Sequence, residues 1–113
     1  MIYDLEKRTL EFAKAAIRLC QKLPATLINT ELTKQLVRSA ASVGANYREA
    51  NEALGKKDFT HRMHITRKEA KETTYWLELI REVNPNLDVT IKVLDQESRE
   101  LRNIFTCIII KSK

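Results

Sequence analysis

Phe59-Thr60-His61-Arg62-Met63-His64-Ile65-Thr66-Arg67-Lys68-Glu69-Ala70-Lys71-Glu72-Thr73-Thr74-Tyr75-Trp76-Leu77-Glu78-Leu79-Ile80 contains neither glycine nor proline. Within it Phe59, Met63, Thr66, Ala70, Thr73, Leu77 and Ile80 recur at alternating steps of four and three. That is the spacing of a helix that lays one seam against partner helices. A helix over Phe59 to Glu82 is predicted, and Asn84-Pro85-Asn86 breaks it.

The flanking segments repeat the pattern. Downstream, a helix from Asp88 to Lys111 carries Ile91, Leu94, Ser98, Leu101, Phe105 and Ile108 at the same spacing. Upstream, Leu36, Ala40, Val43, Tyr47, Ala50 and Leu54 mark a helix starting near Asn29 or Thr30 and running to Leu54. Gly55 then suits a left-handed C-terminal residue, and Asp58 can cap the next helix. Gly44, inside the second helix, suggests a close approach by another backbone or a bulky side chain, with a merely tolerated glycine as the equal alternative. The first helix spans Asp4 to Leu23, with Leu5, Phe12, Ala16, Leu19 and Leu23 on one face, Asp4 as N-cap and Pro24 as stop.

Composition agrees. The 113 residues include only two glycines and two prolines, too few to turn the strands of a sandwich or barrel. Residues 1–113 are therefore expected to form a single all-α domain. Short connections force antiparallel neighbours, and the economical architecture is an antiparallel up-down-up-down four-helix bundle. Charged residues make up 31% and hydrophobic ones 43%, the usage of a globular domain rather than a disordered chain. The longest apolar run, Cys107-Ile108-Ile109-Ile110, is far too short to span a bilayer, and no export signal precedes the first helix. A cytoplasmic location without membrane association is expected. Cys20 and Cys107 fall near the ends of antiparallel helices, about 20 Å apart, beyond the disulfide limit of about 7 Å. Both are expected as buried or half-buried apolar fillers.

Two stretches carry a family resemblance. The first is Gln35-Leu36-Val37-Arg38-Ser39-Ala40-Ala41-Ser42-Val43-Gly44-Ala45-Asn46-Tyr47-Arg48-Glu49-Ala50. The second is Lys57-Asp58-Phe59 with Ile65-Thr66-Arg67-Lys68-Glu69-Ala70-Lys71-Glu72-Thr73-Thr74-Tyr75-Trp76-Leu77. Together with Tyr3-Asp4-Leu5-Glu6-Lys7-Arg8-Thr9 and Glu100-Leu101-Arg102-Asn103-Ile104-Phe105, they resemble the four-helix bundle proteins of the 23S rRNA intervening-sequence family. The resemblance covers nearly the whole chain. It implies a small bacterial cytoplasmic bundle that assembles as a homopentamer. It also implies kinship with the basic accessory protein of diversity-generating retroelements, which binds nucleic acid and a reverse transcriptase. It brings no established activity with it.

Charge is concentrated on the third helix. Lys57, His61, His64, Lys68, Lys71 and Tyr75 form a stripe opposite the seam, flanked by Lys56, Arg62 and Arg67. From Lys56 to Lys71 six cations face two acids, a net +4 in a chain of net +5. Such a surface suits a phosphate backbone, although a solvated helix face is the plainer alternative. The histidines imply binding that strengthens as pH falls. Ile65, Trp76, Leu79 and Val83 form a second stripe, and Ile104, Ile109 and Ile110 wrap the last turns of the fourth helix. These are assigned to an oligomer interface, because a monomer rarely exposes so much apolar surface. Asn46, Arg48, Glu49 and Glu72 match polar positions of the family and are assigned to a hydrogen-bonded network between helices or subunits.

Catalytic and metal signatures are lacking. Asp58-x-x-His61 is half of a di-iron ligand motif with no second half. His61 and His64 have no identifiable third inward ligand, and no phosphate-binding glycine loop or nucleophile elbow occurs. The expected function is thus a non-enzymatic, oligomeric bundle protein without cofactor or metal, binding RNA or DNA through its basic surface. The alternative is a structural or adaptor protein that engages a protein partner through its oligomeric ring.

Overall fold

The computed structural model describes residues 4–113, all-helical apart from short connections. Tyr3, part of the opening family motif, lies outside the described residues. Helix α1 (Leu5–Lys22) begins as expected, the Asp4 carboxylate accepting the Lys7 backbone N–H at 3.1 Å. Helix α2 (Leu27–Asn51) starts a little ahead of Asn29, because Thr26 supplies the cap: its Oγ1 accepts the Asn29 N–H at 3.1 Å. It ends at Asn51, which takes Leu54 off the seam and leaves it 97% exposed.

Helix α3 (Lys56–Val83) is longer than the periodicity predicts. Gly55 is its N-cap, with φ of +137°, a conformation that L side chains rarely adopt. Asp58 therefore sits inside the first turn, where its carboxylate accepts the Leu54 N–H at 3.3 Å. After the 3₁₀ turn Pro85–Leu87, helix α4 (Asp88–Lys111) has the expected bounds.

The four helices form an elongated bundle of 45 × 24 × 19 Å. Helix α3 packs extensively on both α2 and α4, while α1 packs on α2 and only lightly on α4. One continuous core runs through all four, with Phe12, Leu19, Leu36, Val43, Met63, Leu77, Ile91, Leu101 and Phe105 buried. The close approach inferred at Gly44 is real. A Cβ there would stand 3.0 Å from Thr9 Oγ1 and 3.3 Å from Thr9 Cβ. That hydroxyl is buried and already lies 2.6 Å from the Leu5 carbonyl, so α1 and α2 touch nearly backbone to side chain.

The seam hydroxyls explain why polar residues occupy core positions. Thr73 Oγ1 lies 3.0 Å from Ser39 Oγ of α2, and Thr74 Oγ1 lies 2.7 Å from Ser98 Oγ of α4. Each of these hydroxyls also reaches a carbonyl of its own helix. At one end of the bundle the buried side-chain amides of Asn29 and Asn84 bond reciprocally, at 3.1 and 2.8 Å. Each amide also donates to a main-chain carbonyl, of Pro24 and Ile80 respectively. This pair ties the α1–α2 connection to the end of α3.

Cys20 is half-buried, and burial pushes its thiol above the usual range. Cys107, expected as a filler, is exposed, because the core face of the last α4 turns passes through Phe105 and Ile109.

Two outcomes follow from this packing. Asn84→Ala leaves the Asn29 amide buried without its partner and should cost about 1–3 kcal/mol, read as a lower melting temperature. The double change with Asn29→Ala should cost less than the sum of the singles. In alkylation with iodoacetamide, Cys107 should react first and Cys20 lag until pH rises through its raised folded pKa. Because a raised folded pKa favours the neutral thiol, the stability contributed by Cys20 is fully present below the unfolded pKa and lost as pH rises through the folded one. Equal labelling rates in the folded protein would contradict this placement.

Candidate nucleic-acid interface

Helix α3 presents Lys56, Lys57, His61, His64, Lys68 and Lys71 to solvent, with Arg62 and Arg67 half-buried at the flanks. A charged helix face is common, so what matters is where the carboxylates go. Arg8 holds Glu97 at 2.8 Å and Glu100 at 3.2 Å, and hydrogen bonding from Glu97 keeps its guanidinium above the ordinary arginine range. Arg99 is raised likewise by Asp95 and also meets Glu78. Asp88 lies below the usual carboxylate range because Arg81, and then Lys92, hydrogen-bond its charged form. Arg38 takes Glu69 and Glu72, and Arg48 approaches Glu6. Among the described residues, none of the six cations from Lys56 to Lys71 has a carboxylate within salt-bridge distance.

The stripe also has a neighbour that sequence reasoning missed. Helices α3 and α4 are antiparallel, so the first half of α3 lies beside the last half of α4. There, His64, Arg67, Lys68 and Lys71 share a groove of about 600 Å³ with Arg102, Asn103 and Thr106 of α4. No carboxylate lines it. Arg67 Nη2 lies 3.2 Å from His64 Nδ1, and since a guanidinium only donates, that ring nitrogen accepts. At the end of the bundle Lys56 and Lys111 line one further depression. After Glu100 the chain holds Arg102, Lys111 and Lys113 and no acid. That charge count, joined to the antiparallel pairing, is the signal that would have found Arg102.

The family model described as 23S rRNA-intervening sequence protein matches residues 3–107. The chain belongs to that family. Its fold agrees with a solved relative, a protein of unknown function from the S23 ribosomal protein family of Bacteroides thetaiotaomicron VPI-5482. The two are 33% identical and superpose with a TM-score of 0.79, over 92% of this chain and 96% of that one. The comparison with curated proteins gave no match.

As in the family resemblance, four helices carry the motifs, but the side chains assigned to an oligomer interface do not form one face. Ile109 is 2% exposed and belongs to this chain's own core, because α4 turns Ile109 rather than Ile108 fully inward. Trp76 is half-buried on the α2 side of α3, its indole N–H donating to Glu72 at 3.1 Å while Arg38 of α2 grips the same carboxylate. Ile65 and Leu79 are also half-buried, and Val83 is 41% exposed. Ile104 is half-buried and Ile110 is 63% exposed, but both lie on α4, across α3 from the α2 side. Exposed apolar residues that the helical pattern did not single out include Leu10 and Ile17 of α1, and Val89 and Val93 of α4.

Nor do Asn46, Arg48, Glu49 and Glu72 join one network within the chain. Asn46 donates to the Ser42 carbonyl at 2.9 Å, Arg48 approaches Glu6 at 3.9 Å, and Glu49 is exposed. Glu72 instead belongs to a cluster with Arg38, Glu69 and Trp76. The spacing missed Arg38 because it lies on another helix. Among the described residues no three His, Cys, Asp or Glu side chains come together, and no helix is long and apolar enough to cross a membrane.

Proposed function

We propose that this chain is a non-enzymatic bundle protein that binds RNA or other nucleic acid through the surface shared by α3 and the end of α4. The observation that carries the reading is the allocation of charge. Carboxylates pair with Arg8, Arg38, Arg48, Arg81 and Arg99, while among the described residues the cations from Lys56 to Lys71 and Arg102 have no carboxylate within salt-bridge distance, and no carboxylate lines their groove. Phosphates fit such a surface, since they need closely spaced cations and release condensed counterions on binding. The family name, which places its members with 23S rRNA intervening sequences, accords with an RNA partner. The family resemblance adds a cytoplasmic homopentamer, in which five copies of a +5 chain would carry +25. The exposed side chains of Val83 and Ile110 are available to contacts between copies.

Filter binding of RNA and DNA at two salt concentrations tests the reading. Affinity should be sequence-tolerant and fall with salt, with a log–log slope of about 0.7–0.9 per phosphate neutralised. Lys68→Glu with Lys71→Glu should weaken binding uniformly, and Arg102→Glu should weaken it further. Affinity that survives these reversals and half-molar salt would refute this surface. For the assembly, light scattering should show a wild-type particle well above monomer mass. Val83→Glu, at an exposed position that the chain's own core does not need, should shift the particle toward monomer. A wild-type monomer at micromolar concentration would defeat the pentamer.

A further inference from the structure

We propose that Tyr75 is a stacking platform for an unpaired base, so that the basic surface takes single-stranded nucleic acid. This rests on the nucleic-acid reading above and specifies the strand that the surface accepts. Tyr75 is one helical turn beyond Lys71 and two beyond Lys68, so it continues the stripe Lys57, His61, His64, Lys68, Lys71 on the same face. It is 55% exposed, a large aromatic ring that the core does not use.

The ring is nevertheless braced. It meets the Trp76 indole edge-on, with centroids 5.1 Å apart and planes at 70°. Trp76 is itself packed against the core and tied through its N–H to Glu72, which Arg38 of α2 holds in turn. A braced ring loses little freedom when a base settles on its open face, which is what a stacking platform requires.

Charge gives the platform its place along the strand. From Lys57 to Lys71 the cationic track is about 21 Å long at the helical rise. Immediately past Tyr75 the sign reverses: Glu78 and Glu82 are both exposed on α3, and Glu78 is paired with Arg99 at 2.7 Å. A phosphate backbone lying on the track therefore runs out of unpaired cations at Lys71, beside the ring. The base at that point can turn onto Tyr75 without drawing further phosphates toward the carboxylates. In a duplex both faces of each base are already stacked, and offering one to Tyr75 would require unpairing. A single strand offers it freely, and any base suffices because each has a π face.

The test uses the full chain, with fluorescence anisotropy on three probes: oligothymidylate, an abasic oligodeoxynucleotide with the same number of phosphates, and a duplex. Wild type should prefer oligothymidylate to the abasic strand by about 5- to 150-fold, the range that one stacked base gives. Tyr75→Ala should lose most of that preference while its salt slope and its duplex affinity stay at wild-type values. Tyr75→Phe should keep the preference. Unchanged thermal melting of both variants shows that the bundle is intact. The proposal falls if Tyr75→Ala retains the preference, or if it weakens duplex and single strand alike. If Lys68→Glu with Lys71→Glu abolishes binding while Tyr75→Ala leaves the preference intact, the nucleic-acid reading stands and the stacking site does not. If wild type binds none of the three probes, both fail.

Discussion

Helix α3 is held between α2 and α4 by paired hydroxyls inside an otherwise apolar core, Thr73 with Ser39 on one side and Thr74 with Ser98 on the other. A buried hydroxyl that loses its partner costs about 1–3 kcal/mol, whereas aliphatic seams tolerate sliding much better. A slip of one turn at either seam would break its hydroxyl pair and leave each hydroxyl only the carbonyl of its own helix. The register of α3 is thereby set, and with it the groove in which Lys68 and Lys71 face Arg102. The Asn29–Asn84 amide pair repeats the device at the end of the bundle, where the chain reverses.

Ion pairs on this molecule contribute to the distribution of charge more than to its stability. Most join side chains a third or more exposed, and such pairs are worth about 0–1 kcal/mol. Their effect is to spend the carboxylates. Glu97 and Glu100 go to Arg8 across the lightly packed α1–α4 seam, Glu69 and Glu72 go to Arg38, and Asp88, Asp95 and Glu78 go to Arg81 and Arg99. What remains is polarity along the bundle. The half built from the start of α3 and the end of α4 is basic, and the opposite half is mixed.

Trp76 links the two sides of α3. Toward α2 its indole N–H completes the Arg38–Glu72 cluster, and on its other side its ring meets Tyr75 in an edge-type contact. A residue that the apolar pattern assigns to contact between copies thus already has a role within one chain. The light packing of α1 on α4 leaves a separate groove of about 670 Å³, floored by Phe12, Ala15 and Leu94 and rimmed by the Arg8–Glu97 pair. Helix α1 is in this sense the least embedded of the four.

The helices and most of their inward faces were legible in the sequence because both follow from local rules. Periodicity near 3.6 marks the buried stripe, the Asp4 carboxylate caps the start of α1, and the missing N–H groups of Pro24 and Pro85 mark the breaks between helices. The net charge of the third helix was equally legible, being a count. Its partner on α4 was not, since Arg102 is distant in sequence and enters the groove only through antiparallel packing. Ile109 and Ile108 differ by about 100° on the wheel, and adjacent isoleucines offer no local signal for which one the core takes. Glu72 was singled out, but its partner Arg38 comes from α2. Local sequence thus determined the elements and the sign of their charge. Packing between helices decided which charges were neutralised and which apolar groups were covered, because those depend on neighbours brought together only by the fold.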